Sequence, residues 1–257
     1  MLFRSPVLRP RPASTPAPAA SEPVPASAIP TVREAWIEHR AATLARAGAP
    51  ASVAATTLAE QEAAEAVSDD AVDARPPWQR GRAGTALGRA VHAVLQTVDL
   101  ETGAGLEATA RAQALAEGVA GRELEVRALV ESVLASPIVR AIADGGWPRW
   151  REVPVAADVD GVLLEGFIDL LARTPDGLLV VDYKTDVAPT DADLDAALAR
   201  YSVQGAAYAL ALEATLGEPV AGCVFVFARP GGAAERAVED LPAAVRAVRE
   251  RLAGAAA

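Results

Sequence analysis

Residues 162–185 read VLLEGFIDLLARTPDGLLVVDYKT, and this stretch decides the fold. Its apolar residues follow a strand pattern on both sides of a Pro-Asp-Gly turn, which predicts paired strands over Val162–Leu171 and Leu178–Lys184. The LLVV run before Asp182 is apolar at both parities, as expected for a central strand that is covered on both faces. The sequence therefore predicts a sheet with helices packed against it.

The flanking sequence extends this strand pair in both directions. An alternating segment precedes it, and Asp160-Gly161 between them is a hairpin signal, so three strands form a meander. Longer segments with helical spacing lie before and after the meander. The predicted order is αβββαβα, with helical patterns over about 85–134, strands over 150–157, 162–171 and 178–184, a helix over 192–216, a strand over 222–228 and a closing helix over 238–252.

Two carboxylates and the single lysine of the chain fall at the ends of neighbouring strands. Asp169 lies in GFIDLL, and Asp182 and Lys184 share one face of LLVVDYKT while Tyr183 points the other way. Taken singly, Asp169 also fits a charged residue that keeps an edge strand soluble. The Asp182–Lys184 run also fits ordinary polar residues at the end of a strand. Taken together, these oxygen ligands suit Mg²⁺ or Mn²⁺.

Composition excludes several classes of protein. The chain has 257 residues, a formal net charge of −10 and one cysteine, Cys223, so it holds neither a disulfide framework nor a cysteine-cluster metal site. We find no apolar run of 18 residues and no signal-peptide pattern, so we expect a cytoplasmic protein without a membrane partner. The acidic balance disfavours a free-standing nucleic-acid binder, although a domain tethered to a DNA-bound partner needs little affinity of its own.

We expect three segments along the chain. Residues 1–30 are rich in Pro, Ala and Ser without an apolar period, which predicts a disordered linker. Residues 31–75 hold two helical patterns, over Val32–Ala47 and Val53–Val72, and form a helical lead-in. Residues 76–257 form the main domain.

Four motifs in this order resemble the PD-(D/E)XK nuclease superfamily, and more narrowly the RecB-like nuclease domain at the C-terminus of AddA and RecB helicase-nucleases. They are GTALGRAVHAVL, GFIDLL, VVDYKT and YSVQGAAY, and the resemblance covers about Gly84–Ala228. It implies an α/β (α+β) fold with a restriction-endonuclease-like αβββαβ core, in which helices flank a mixed central sheet. The lead-in would then be an N-terminal helical extension.

The resemblance also implies a metal site and a catalytic set. His92, Asp169, Asp182 and the backbone carbonyl of Tyr183 match the family's metal ligands. Asp169, Asp182 and Lys184 match its catalytic residues, among which the lysine positions or activates the attacking water. Without the resemblance, His92 reads as an ordinary helix histidine.

Three further residues are candidates on the same grounds. Gln204 and Tyr208 match the family's QxxxY motif, which implies substrate binding, and their i, i+4 spacing places both on one helical face. The reading of Tyr208 as a core aromatic stays open. Glu152, in WREVPVA on the first strand of the meander, is a candidate as a further ligand or as support for one.

We therefore expect a Mg²⁺-dependent DNA exonuclease, with Mn²⁺ as an alternative ion, that acts in double-strand-break repair and recombination. We expect it to work with a superfamily-1 helicase module or subunit. No GxxxxGK[ST] phosphate loop and no four-cysteine set occur, so we expect no ATP site in this chain and no iron–sulfur cluster. A catalytically silent nuclease-fold module that binds DNA ends or assembles a complex is the alternative.

Overall fold

A computed structural model describes residues 37–38, 52–66, 85–185 and 190–256. The predicted linker over 1–30 and the predicted helix over Val32–Ala47, apart from residues 37–38, lie outside the described residues. The chain divides into two compact units, residues 1–47 and 48–257, and the second holds the sheet and its helices.

The described chain of the second unit alternates between helices and strands. In chain order the elements are β1 (Ser52–Ala54), α1 (Ala55–Ala66), α2 (Ala86–Thr97), α3 (Leu106–Ala116), α4 (Glu123–Leu134), α5 (Pro137–Asp144), β2 (Arg149–Val159), β3 (Val162–Thr174), β4 (Gly177–Lys184), α6 (Asp191–Leu216), β5 (Val220–Phe227), β6 (Ala234–Ala237) and α7 (Leu241–Ala256).

Six strands form one mixed sheet in the order β1-β3-β4-β5-β6, with β2 paired to β3 off this path. The meander β2-β3-β4 is antiparallel, whereas β5 pairs with β4 in parallel after the long α6 crossover. The predicted fold class, a mixed sheet flanked by helices with the αβββαβ order, is confirmed.

The central strand β4 contributes to an apolar layer on each side of the sheet. Leu178 and Val180 belong to the layer that includes α1, α6 and α7, whereas Val181 and Tyr183 belong to the layer that includes α2 to α5. This division explains why LLVV is apolar at both parities.

Strand β3 pairs with β1 near its start and with β4 near its end. The sheet forks at the residues of β3 between these two ladders. β1 pairs with Leu163–Glu165, and β4 pairs with Leu170–Thr174. Beyond Val181, β4 continues to Lys184 beside β5, while its ladder with β3 has ended. Residues 182–184 therefore diverge from β3 where β3 carries Asp169.

Helix α2 begins close to the end of β4. Thr85 is its N-cap, and the Thr85 hydroxyl accepts a hydrogen bond from the Gly88 amide at 3.0 Å. A Cβ on Gly88 would lie 2.5 Å from Oγ1 of Thr185, so only glycine allows this approach without movement of the threonine. This contact brings the start of α2 against the end of β4.

Some elements differ from the predictions. The helix predicted from Val53 begins instead at Ala55, because Val53 pairs with Leu164 in the sheet and is buried. The segment before residue 76 thus contributes a strand, while the boundary at residue 76 stays a prediction. Strand β6 and helix α5 were not predicted, and both are short. In the described part of the chain, every helix is too short or too polar to cross a bilayer.

Candidate active site at the sheet fork

Asp169 lies at the fork and makes two hydrogen bonds that hold it in place. Its Oδ2 accepts a hydrogen bond from the backbone amide of Tyr183 at 2.7 Å, and its Oδ1 lies 3.1 Å from Nδ1 of His92. The first bond supplies a partner to the Tyr183 amide, which has left the β3–β4 ladder. The second bond joins β3 to α2 and brings together two of the residues predicted as metal ligands.

Glu152 completes a cluster of three potential ligands. One ligand atom from each of His92, Glu152 and Asp169 lies within 4.8 Å of the other two. Glu152 has a left-handed backbone conformation with φ of 50°, which is uncommon for a residue other than glycine. Val153 pairs with Ile168 and Arg151 with Leu170 on either side, so the distortion lies at the one position where the ladder is interrupted.

This donor set fits a divalent cation. Two carboxylates and an imidazole offer the oxygen and nitrogen ligands that Mg²⁺ and Mn²⁺ accept in proteins. The cluster holds Glu152 but not Asp182, so the ligand role predicted for Asp182 stays a prediction, as does that of the Tyr183 carbonyl.

Electrostatics link the cluster to Asp182 and Lys184. Burial by itself lowers the pKa of His92, but the Asp169 carboxylate outweighs it and raises the pKa to about 9. Burial would raise the pKa of Asp169, yet His92 and the Tyr183 amide hold it below its usual value. Burial raises the pKa of Asp182 to about 6 against the opposing effect of Lys184. The neighbouring carboxylates therefore favour the protonated imidazole, and metal coordination would require the neutral form.

Lys184 is held by three neighbours on the α6 side of the sheet. Its Nζ lies 2.6 Å from Oδ1 of Asp182 and donates a hydrogen bond to Oε1 of Gln204 at 2.8 Å. The ammonium also lies 4.1 Å from the ring centroid of Tyr201, a cation–π contact. Tyr183 points to the opposite side and packs against His92, so the predicted alternation along β4 is observed.

Gln204 and Tyr208 form a buried pair behind Lys184. Nε2 of Gln204 donates a hydrogen bond to the Tyr208 hydroxyl at 2.7 Å, and both residues are almost fully buried. The Tyr208 ring lies so close to β3 that a Cβ on Gly166 would be 2.6 Å from Cε1. The substrate-binding role predicted for this pair stays a prediction; in the structure Gln204 contacts Lys184, and Tyr208 contacts Gln204.

Sequence reasoning missed two residues of this arrangement. Tyr201 is three residues before Gln204 on α6, and this i, i+3 spacing was the available signal that both face Lys184. Gly166 carries no chemical group, and only the position of the Tyr208 ring shows why a side chain does not fit there.

Acidic and histidine side chains beside a buried lysine at the end of a mixed sheet form a site suited to metal-dependent hydrolysis of phosphate esters. The family model of the PD-(D/E)XK nuclease superfamily matches residues 70–257, and the chain belongs to this superfamily. It is therefore a nuclease-family protein, in which hydrolysis of phosphodiester bonds generally depends on a divalent metal.

Two curated relatives are helicase-nucleases. The chain is 34% identical over 208 residues to the A subunit of the ATP-dependent helicase/nuclease from Desulforudis audaxviator (strain MP104C). It is 32% identical over 174 residues to the protein of the same name from Pelotomaculum thermopropionicum (strain DSM 13744 / JCM 10971 / SI). These matches cover 67% and 60% of this chain but only 16% and 13% of the relatives.

A solved structure described as the crystal structure of SSO0001 is 16% identical and covers 76% of this chain and 83% of its own. Its TM-score is 0.28, which is too low for a structural argument.

Proposed function

We propose that this protein is a Mg²⁺-dependent DNA nuclease of the RecB and AddA type, which removes nucleotides from DNA ends during recombinational repair. The observation that carries the proposal is the cluster of His92, Glu152 and Asp169 next to the Asp182–Lys184 pair. We also propose that residues 76–257 are the nuclease domain, that residues 31–75 are a helical segment preceding it and that residues 1–30 are a linker.

The residues of the chain divide the chemical work between the two sides of the sheet. On the α2 side, His92, Glu152 and Asp169 would hold the cation. A bound divalent ion would lower the pKa of its water and withdraw charge from the scissile phosphate. On the α6 side, Lys184 would orient the attacking water and balance negative charge as it develops.

Lys184 can do this because its surroundings fix one position for its ammonium group. Asp182 forms an ion pair with the ammonium, Gln204 accepts a hydrogen bond from it, and the Tyr201 ring lies against it. The lysine side chain is only 13% exposed, so little water competes for these contacts. A preorganised charge of this kind stabilises a transition state without reorganisation during the reaction.

A helicase partner and a DNA substrate are supported by the names of the relatives and by the small share of each relative that the chain matches. A nuclease joined to a motor would need little DNA affinity of its own, which accords with the net charge of −10. We propose a superfamily-1 helicase, as module or subunit, for this role.

The test is degradation of linear and circular DNA, single- and double-stranded, with Mg²⁺ or Mn²⁺. The purified chain is compared with Asp182→Ala and with Asp176→Ala, which changes an exposed turn residue. We expect the wild type and Asp176→Ala to degrade linear DNA in a metal-dependent way, and Asp182→Ala to be inactive. Cleavage of circular DNA would refute the requirement for ends.

Two negative results would have different meanings. If the wild type binds the metal but does not cleave, and Asp182→Ala weakens binding, the site is intact but the isolated chain is not sufficient. If the wild type binds no divalent metal, the catalytically silent module becomes the better account.

A further inference from the structure

One aromatic side chain beside the candidate active site is exposed to solvent. Phe167 is 55% exposed, whereas Phe225 and Phe227 are fully buried in the core. Across the β2–β3 ladder, Phe167 faces Pro154, which is exposed as well. Phe167 and Pro154 together form a surface that we call the Phe167 patch.

The register of the ladder places this patch next to the metal cluster. Phe167 pairs with Pro154, and two residues further along β3 lies Asp169, which falls between the Val153–Ile168 and Arg151–Leu170 pairs and lies near Glu152 in the cluster. Side chains two apart on a strand share a face, and the spacing is about 7 Å along the strand. The Phe167 patch therefore lies on the side of the sheet that carries the cluster, within about one nucleotide of it.

The charges around the patch disfavour a phosphate as its occupant. Glu165 is the next residue on the same face of β3, and it is exposed. A phosphate group would be repelled there, whereas an uncharged nucleobase would not be. The face of an aromatic ring binds bases by stacking regardless of their identity.

We propose that the Phe167 patch is a stacking subsite for an unpaired base, next to the phosphate that the cluster would bind. This inference rests on the proposed nuclease function and adds a substrate class to it. A base within a duplex has its faces covered by its neighbours, so the subsite selects a single strand or a frayed end.

The experiment measures binding of a fluorescently labelled single-stranded oligothymidylate in EDTA, where the metal-dependent reaction does not proceed. The proteins are the wild type, Phe167→Ala, Phe167→Trp and Trp150→Ala. In a second set of oligonucleotides, each carries a single abasic residue, at a different position in each one.

Trp150 provides the matched control, because it is 46% exposed on the same strand pair but lies towards the other side of the sheet. It faces Leu171, which belongs to the layer of α1, α6 and α7. The alternation along β3 shifts by one residue beyond Asp169, since Leu170 belongs to the α2 layer. Phe167 and Trp150 are therefore similar in exposure but separated by the sheet.

We expect Phe167→Ala to weaken binding on the order of tenfold, as found for the loss of one base–aromatic stack. Phe167→Trp and Trp150→Ala should bind as the wild type does. One abasic position should weaken binding to the wild type by a similar factor and leave binding to Phe167→Ala unchanged, because the stack is already absent.

Equal effects of every abasic position on the wild type and Phe167→Ala would overturn the subsite. So would unaltered DNA binding by Phe167→Ala. A wild type that cleaves DNA but shows no such coupling refutes the subsite alone. A wild type that shows the coupling but never cleaves refutes the proposed function alone.

Discussion

The hydroxyl of Tyr208 offers a test of how Lys184 is positioned, because it is the far end of a chain of buried hydrogen bonds. It accepts a hydrogen bond from Gln204, whose other amide atom accepts one from Lys184. Tyr208→Phe removes one oxygen atom and keeps the ring. The Gln204 amide is then no longer held in the orientation that presents Oε1 to the lysine.

The expected magnitudes follow from burial. Gln204 is only 3% exposed, so its Nε2 group loses its acceptor without gaining water. A buried donor left unsatisfied costs about 1–3 kcal/mol, and we expect the free energy of unfolding to fall by that amount. A hydrogen bond to a charged group contributes about 1.5–3 kcal/mol. If half of that contribution to positioning Lys184 is lost, about 0.75–1.5 kcal/mol, kcat falls roughly four- to twelvefold.

Urea unfolding and single-turnover cleavage would be measured on the same preparations, with Ser202→Ala as the control. Ser202 lies on α6 and donates a hydrogen bond to the Leu198 carbonyl, away from Lys184. We expect less than about 0.5 kcal/mol of destabilisation and unchanged turnover for this control. Unchanged turnover in a destabilised Tyr208→Phe would refute the positioning role, and unchanged stability would refute the buried hydrogen bond.

Three further predictions concern single residues. Lys184→Ala should abolish cleavage and spare DNA binding, and Lys184→Arg should restore little because the guanidinium is bulkier and differently hydrated; near-wild-type turnover by Lys184→Arg would contradict this. Gly166→Ala should lower the free energy of unfolding, measured by urea titration, by about 1–3 kcal/mol, because its Cβ would overlap the Tyr208 ring. Gly222→Ala is the control: its Cβ would have its nearest contact at 3.4 Å, so the free energy of unfolding should change little. Burial raises the pKa of the Cys223 thiol, so it should react with a thiol reagent only after unfolding, and rapid labelling of the native protein would refute this.

The meander and its chemistry could be predicted because their signals are local. The alternation in residues 162–185 and the intervening turn fix which residues form strands, and Asp169, Asp182 and Lys184 are marked by their placement in apolar runs. No long-range contact is needed for either conclusion.

The parts that could not be predicted depend on contacts between distant segments. The pairing of Val53 with Leu164 makes a strand out of a sequence that would suit a helix. Glu152 was a candidate from the sequence, but its left-handed conformation and its place beside His92 and Asp169, in a cluster that does not include Asp182, depend on segments far apart in the chain. Neither feature has a signature within the few residues around it.

The fork gives Asp169 two tasks, and this decides which substitution reports on the chemistry. Its carboxylate is a candidate ligand and is also the acceptor for the Tyr183 amide that the diverging strands leave without a ladder partner. Asp169→Ala would therefore remove a candidate ligand and also leave the buried Tyr183 amide without an acceptor. A loss of activity would not show which of these two changes caused it. Asp169→Asn keeps an oxygen acceptor for the Tyr183 amide while removing the negative charge that a cation requires. The difference between the wild type and Asp169→Asn reports on the charge. The difference between Asp169→Asn and Asp169→Ala reports on the hydrogen bond that holds the fork together.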